Sequence, residues 1–383
     1  METRAEAVVA DLARLVAFDS VSSRPMRELA GFVADRCEAL GFRTEILQDA
    51  TDPGKASVIA SIGPETGDRE GLVLSGHLDV VPTEGQPWTS DPFRVVERGG
   101  NLYGRGTADM KGFLAATLQA LAEIDRRRFT RELSLVWTHD EEVGCLGSAQ
   151  IAAKLLERRR VLPRACLIGE PTGFRIFRMH PGHVGVEIVL HGQAAHSSRP
   201  DLGINAIDAA ARVVAAIGDV ARELEAERGG PPEMGRPWVA VNVGNIQGGS
   251  AINIVPDRCR ILLGYRQLPG MAEDAPFARI RDRIATLDLP GGWDARILRV
   301  TPALLTHGGT PLESDLLAHA CTPECGSATF ATDGGNLAKL GLEPLVFGPG
   351  SIEVAHQADE YVPIAELVRA VDVIGALVRK RCC

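Results

Sequence analysis

Apolar positions recur with a helical period from Glu2 to Phe18 and again over roughly Arg27 to Leu40. Three short apolar runs follow, "FRTEIL", "ASVIASIG" and "GLVLSGHLDV", each of strand length. Then "ADMKGFLAATLQALAEI" reads as a helix, "ELSLVWT" as a strand, "SAQIAAKLLERRR" as a helix and "RACLIGE" as a strand. Strands alternating with helices predict an α/β sheet, and the polar residues collect at the C-terminal ends of its strands. In open sheets of this kind those ends carry the active site.

Near Pro181 the period changes. "GHVGVEIVLHG" alternates apolar and polar, "NAIDAAARVVAAIGDVARELEAE" is a long amphipathic helix, and "PWVAVNVGNIQG" and "DRCRILLGYRQL" alternate again. A helix, "DAPFARIRDRIATL", and a strand, "WDARILRV", complete a β-α-β-β-α-β order, the ferredoxin-like split unit. The pattern predicts an α+β domain over 181–297, inserted into an α/β domain made of 1–180 and 298–383. The latter ends on a helix from Pro363 to Lys380.

Composition narrows the class. The 383 residues are 45% hydrophobic and 24% charged, an ordinary globular balance with room for two cores. A net charge of -9 without a Lys/Arg-rich block argues against a nucleic-acid partner. No apolar run approaches the roughly 18 residues of a membrane span. The N-terminus lacks the apolar core of a signal peptide, so a cytoplasmic location is expected. The eight cysteines form no C-x-x-C pair, and most lie in apolar runs. They read as buried free thiols, with the final pair, Cys382 and Cys383, exposed and frayed.

Acids and histidines end several of the apolar runs. "LVLSGHLDVVP" carries His77 and Asp79, "LYGRGTADMKGF" Asp109, "WTHDEEVGCLG" Asp140, Glu141 and Glu142, "LIGEPT" Glu170, and "FGPGSIEVAHQADEYVP" His356. Alone, Asp109 reads equally well as a helix cap, and any one of these histidines as a hydrogen-bonded structural residue. Together, two histidines with Asp109, Glu170 and an acid of the "DEE" run form an N/O donor set suited to zinc or a similar divalent ion. Five ligands exceed what one catalytic zinc takes, and serve two ions if one carboxylate bridges. Residues i and i+2 of a strand share a face, so Asp79 is expected to accept the free ring N–H of His77. Asp140 is expected to shape a turn or cap. The other histidines are assigned to structure, with His139 the closest to the acids.

"SGHLDVVP", "GRGTADMKG", "DEEVG", "GEPT" and the late "AH...DEY" resemble the cocatalytic-zinc aminoacylase and carboxypeptidase family, in family order and over nearly the whole chain. The resemblance implies a zinc-peptidase-like catalytic domain, with a mixed central sheet flanked by helices, and an inserted ferredoxin-like lid and dimerisation domain. It implies two divalent ions, Zn²⁺ or alternatively Co²⁺. His77, Asp109 and Glu170 would hold one, and Asp109, Glu142 and His356 the other, with Asp109 bridging. Glu141 would be the general base and Asp79 would orient His77. In the lid, His196 would reach the active site of the other subunit of a homodimer, and Asn253 and Arg266 would bind a carboxylate of a small N-acyl amino acid.

"QPWTSDPF", "AAHSSRPDLGINAI", "GSAINIVPDRCRILLGYRQLPG" and "VFGPGSIEVAHQADEYV" look most like the branch that deacetylates N2-acetylornithine. Desuccinylation, dipeptide cleavage, or deacetylation of citrulline or lysine would use the same metals. A non-enzymatic relative would be expected to lack a ligand or the base, and none is missing. One stretch departs from the branch. Its common Thr-Glu-Ala-Gly is here "ATDGGN", placing Thr332, Asp333 and Gly334 in a loop expected to face substrate.

Overall fold

The computed structural model describes residues 3–383. It divides into two compact units. One comprises residues up to Met179, Thr306–Gly326 and Thr332–Cys383; the other comprises His180–Leu305 and Ser327–Ala331.

The first unit is built on a mixed sheet. Strands Leu133–Thr138, Leu72–His77, Ala165–Ile168 and Glu343–Val346 lie side by side and parallel. Antiparallel strands flank them, Ala56–Ile62 and Arg43–Gln48 on one side and Ile176–His180 on the other. Three of the parallel strands, Leu133–Thr138, Leu72–His77 and Ala165–Ile168, are buried along their whole length. That accounts for their nearly continuous apolar sequence. Leu133, Leu135 and Trp137 share one core with Leu72, Leu74 and Leu167 and with the helices Arg4–Val16, Arg27–Ala39, Lys111–Ala122 and Ile364–Cys382. The first of these helices begins at a capping box, in which Thr3 accepts from the Glu6 amide and Glu6 accepts from the Thr3 amide.

The C-terminal pair departs from the sequence reading. Helix Ile364–Cys382 continues to Cys382, whose side chain is fully buried and whose carbonyl accepts from the amides of Thr130 and Arg131. The core therefore captures the last turn and leaves Cys383 half-buried; elsewhere Cys321 is exposed and Cys325 half-buried, against the expectation of buried thiols. All eight cysteines are free thiols.

The second unit is a four-stranded antiparallel sheet in the order Ala240–Gly248, Arg258–Arg266, His183–His191, Trp293–Thr301. Helices Ala206–Glu227 and Ala275–Ala285 complete the ferredoxin-like unit. Cys259, Ile261, Leu263 and Tyr265 are buried in alternation along the second strand. No described helix is long and apolar enough to cross a membrane.

Candidate metal centre

Parallel strands deliver the candidate ligands to one edge. His77 is the last residue of its strand; Glu141 and Glu142 follow Thr138, Glu170 follows Ile168, and His356 follows the loop after Val346. Asp109 precedes helix Lys111–Ala122. Gly169 is required next to Glu170, because a Cβ there would lie 1.9 Å from the Phe113 ring.

Two ligand triads form, joined by Asp109. His77 Nε2 is 3.0 Å from Asp109 Oδ1 and 4.0 Å from Glu170 Oε2. His356 Nε2 is 3.3 Å from Asp109 Oδ2 and 3.1 Å from Glu142 Oε2. In each triad, His77–Asp109–Glu170 and Asp109–Glu142–His356, one donor atom per residue lies within 4.8 Å of the others. Asp109 thus turns one carboxylate oxygen to each triad.

The site concentrates buried acids around two histidines. Burial raises Glu141 and Glu170 well above the usual carboxylate range, and the neighbouring acids add to it. Burial and the proximity of Asp109 push Glu142 up to about 7. Burial opposes the His77 cation, yet Asp109 and Glu170 outweigh it and raise its pKa well above the usual histidine value. Hydrogen bonds to Asp109 and Glu142 push His356 up to about 10. A nearby dication would favour the ionised form of these crowded acids and the neutral form of the histidines. The N/O donors, their grouping in two triads and the shared Asp109 fit a pair of divalent ions.

The surrounding contacts correct one expectation. The His77 ring Nδ1–H donates to the backbone carbonyl of Asp79 at 2.9 Å, while the Asp79 carboxylate stays 3.8 Å from that nitrogen. The strand ends at His77, so the alternation that would put the two side chains together stops there. The Asp79 carboxylate instead accepts the backbone amides of Glu141 at 3.0 Å and Glu142 at 3.1 Å, and the Ser22 hydroxyl at 2.8 Å. Asp79 therefore fixes the "DEE" turn with its side chain and His77 with its backbone.

Asp140 takes a left-handed conformation, φ 52°, and pairs with Lys55 Nζ at 2.8 Å, both groups nearly buried. His139 turns away to Ser57 and Asp49. Thr332, Asp333 and Gly334 are buried. Asp333 Oδ2 accepts from the Thr138 hydroxyl at 2.5 Å, and the Thr332 hydroxyl accepts the Gly334 amide.

Sequence reasoning missed the clamp beneath Asp109. Glu360 accepts the amides of Gly106, Ala108 and Asp109 and forms a buried ion pair with Arg105 at 2.7 Å. Its signal was present in "AHQADEYV", four residues after His356, but an acid there reads first as surface. Lys55 was missed for the same reason.

In the second unit, His196 is exposed, with Nδ1 2.8 Å from the Ser198 hydroxyl. Asn253 is exposed, and its carbonyl accepts the Ser197 amide. Arg266 lines a cavity of about 640 Å³ with His183, Asn242 and Arg299.

Residues 73–232 match the peptidase family M20/M25/M40, and residues 178–291 match the peptidase dimerisation domain. Acetylornithine deacetylase from Myxococcus xanthus is 34% identical over 384 residues, covering 98% of each chain. A metallo-carboxypeptidase of the M20 family from Sulfolobus solfataricus has the same fold, with a TM-score of 0.76, 19% identity and coverage of 97% of this chain and 98% of that one. A dinuclear metal-binding M20 peptidase from Bacillus subtilis matches with a TM-score of 0.67, 14% identity and 98% coverage of each chain. The protein is a metal-dependent amide hydrolase. It belongs to peptidase family M20/M25/M40.

Proposed function

We propose that this enzyme removes the acetyl group from N2-acetyl-L-ornithine, giving L-ornithine and acetate as a step of arginine biosynthesis in the cytoplasm. The observation that carries the chemistry is Asp109, one oxygen in each triad. The substrate rests on the deacetylase relative that matches along 98% of this chain.

In this reading His77, Asp109 and Glu170 hold one zinc ion, and Asp109, Glu142 and His356 the other. The bound ions supply Lewis acidity toward the amide carbonyl and the attacking water. Glu141 receives the proton of that water on a carboxylate oxygen and returns it to the leaving nitrogen. Its burial suits the task, because a desolvated carboxylate holds a proton at a pH where an ordinary one would not. Asp79 keeps Glu141 and Glu142 apart in role by holding both backbone amides.

Residues 181–297 act as a lid and as the contact of a homodimer, a reading supported by the match to a dimerisation domain. Arg266 and Asn253 hold the substrate's α-carboxylate, the arginine because its planar fork suits a carboxylate. His196 serves the other subunit's active site and stabilises the tetrahedral oxyanion. Thr332, Asp333 and Gly334 contribute to substrate binding, a reading supported by Asp333, which is as buried as the candidate ligands His77, Asp109 and Glu170 and groups with Glu141 and Cys145.

A panel of acylated amino acids tests the reading, comparing kcat/KM for acetylated ornithine, citrulline and lysine, a succinylated diamino acid and a dipeptide. N2-acetylornithine is expected to lead. A clear preference for any other member would reassign the substrate while leaving the chemistry in place.

A further inference from the structure

The turn that carries Glu141 closes on an unusual residue. Cys145 is the residue before helix Leu146–Glu157, where Ser, Thr, Asp or Asn would normally cap. It adopts a left-handed conformation, φ 57° and ψ 39°, which disfavours side chains other than Gly, Asn and Asp. Its side chain is 2% exposed and makes no capping bond. Neither helix propensity nor capping explains a cysteine at this position.

Its contacts do. The Cys145 amide donates to the Glu141 carbonyl at 2.9 Å, and its thiol donates to Glu141 Oε1 at 3.3 Å. One residue therefore grips both the backbone and the carboxylate of Glu141. Cys145 is itself anchored. Its carbonyl accepts from Asn336 Nδ2 at 3.1 Å and from the Ser148 hydroxyl at 3.0 Å, and Asn336 Nδ2 also donates to Ser148 at 3.0 Å. Through Asn336 the anchor reaches the short helix Gly334–Ala338, which begins within the departing "ATDGG" stretch.

We infer that Cys145 is a positioning residue for the general base, its thiol tethering one oxygen of Glu141 so that the other is aimed to exchange the proton. No bond to Cys145 forms or breaks during the reaction, and the thiol keeps its proton throughout. Its nucleophilicity is not used. The inference rests on the reading of Glu141 as base and adds the residue that aims it.

The test uses the metal-loaded enzyme with N2-acetylornithine. Cys145→Ala is expected to lower kcat by about 3- to 10-fold, the loss of one modest hydrogen bond. KM should change less than about twofold, with metal content unchanged. Cys145→Ser, which keeps a donor, is expected to recover most of that loss. On a Glu141→Asp background, whose shorter side chain withdraws from the thiol, Cys145→Ala should cost nothing further. Unchanged kcat in Cys145→Ala, equal loss in the alanine and serine variants, or full additivity with Glu141→Asp would each overturn the inference. A Glu141→Gln variant separates the two possible failures. Turnover retained there refutes Glu141 as base and this inference with it. Turnover lost there but unchanged in Cys145→Ala refutes only the inference.

Discussion

Glu141 and Glu142 are neighbours in sequence with different surroundings. Glu142 lies against His356 and Asp109, a ligand's company. Glu141 lies against the Cys145 thiol and, more distantly, His77 and Glu170. The difference comes from the turn, in which the two amides converge on the Asp79 carboxylate while their side chains diverge. If Glu141 is the proton carrier, Glu141→Gln should leave two ions bound and reduce kcat by roughly 10²- to 10⁴-fold, the usual span for losing a general base. Metal analysis beside steady-state rates checks both halves. The candidate ligands stood out in the sequence because acids and histidines ending apolar runs are costly unless something compensates them. The exact acceptor on His77 was not legible, because it depends on where a strand stops.

At the scale of elements, the site is the C-terminal edge of four parallel strands; short apolar runs marked three of them, and Glu343–Val346, only four residues long, was not read from the sequence. The hidden parts are charged residues that belong to the interior. Arg105 and Glu360 are each 1% exposed, 255 positions apart, and no local pattern pairs them. Their work is to present the segment from Gly106 to Asp109 through three backbone amides accepted by one carboxylate. Glu360→Ala would strand a buried guanidinium and release those amides. It is expected to cost about 3–5 kcal/mol of folding stability and to weaken metal binding by about 10- to 100-fold. Denaturant unfolding and a chelator competition measure the two effects, and unchanged metal affinity would show that Asp109 is held by other means. Lys55 and Asp140 form a second such pair, buried behind the "DEE" turn.

For the whole molecule, crowded acids make stability depend on metal and pH together. Glu142 is raised from 4.5 to about 7, and His356 from 6.5 to about 10. In both cases the folded state holds its proton more tightly than the unfolded chain. Their stabilisation is therefore complete at low pH and is lost as pH rises, between about 4.5 and 7 for Glu142 and about 6.5 and 10 for His356. Metal-stripped protein is expected to melt at progressively lower temperature from pH 6 to pH 9. Protein loaded with two equivalents of Zn²⁺ should melt higher, and increasingly so with pH, because ions replace the lost protons. Thermal unfolding with and without chelator reads this, and parallel curves would argue against a metal between these groups. The start of the second unit coincides with the change of hydrophobic period near Pro181, whereas its end lies at Leu305 rather than 297, with Ser327–Ala331 added. The burial of Cys382 was not, because whether a terminal turn docks depends on the core it meets.

In the proposed function two ions, held through Asp109, serve the deacetylation of N2-acetylornithine. Its most direct measurement is acetate release from that substrate by metal-stripped protein titrated with Zn²⁺. Turnover should be negligible without metal and saturate as the second equivalent binds, with kcat/KM above that of every other acylated amino acid tested. Activity undiminished by complete metal removal, or no acetate release from any basic acetylated amino acid at any metal content, would contradict it.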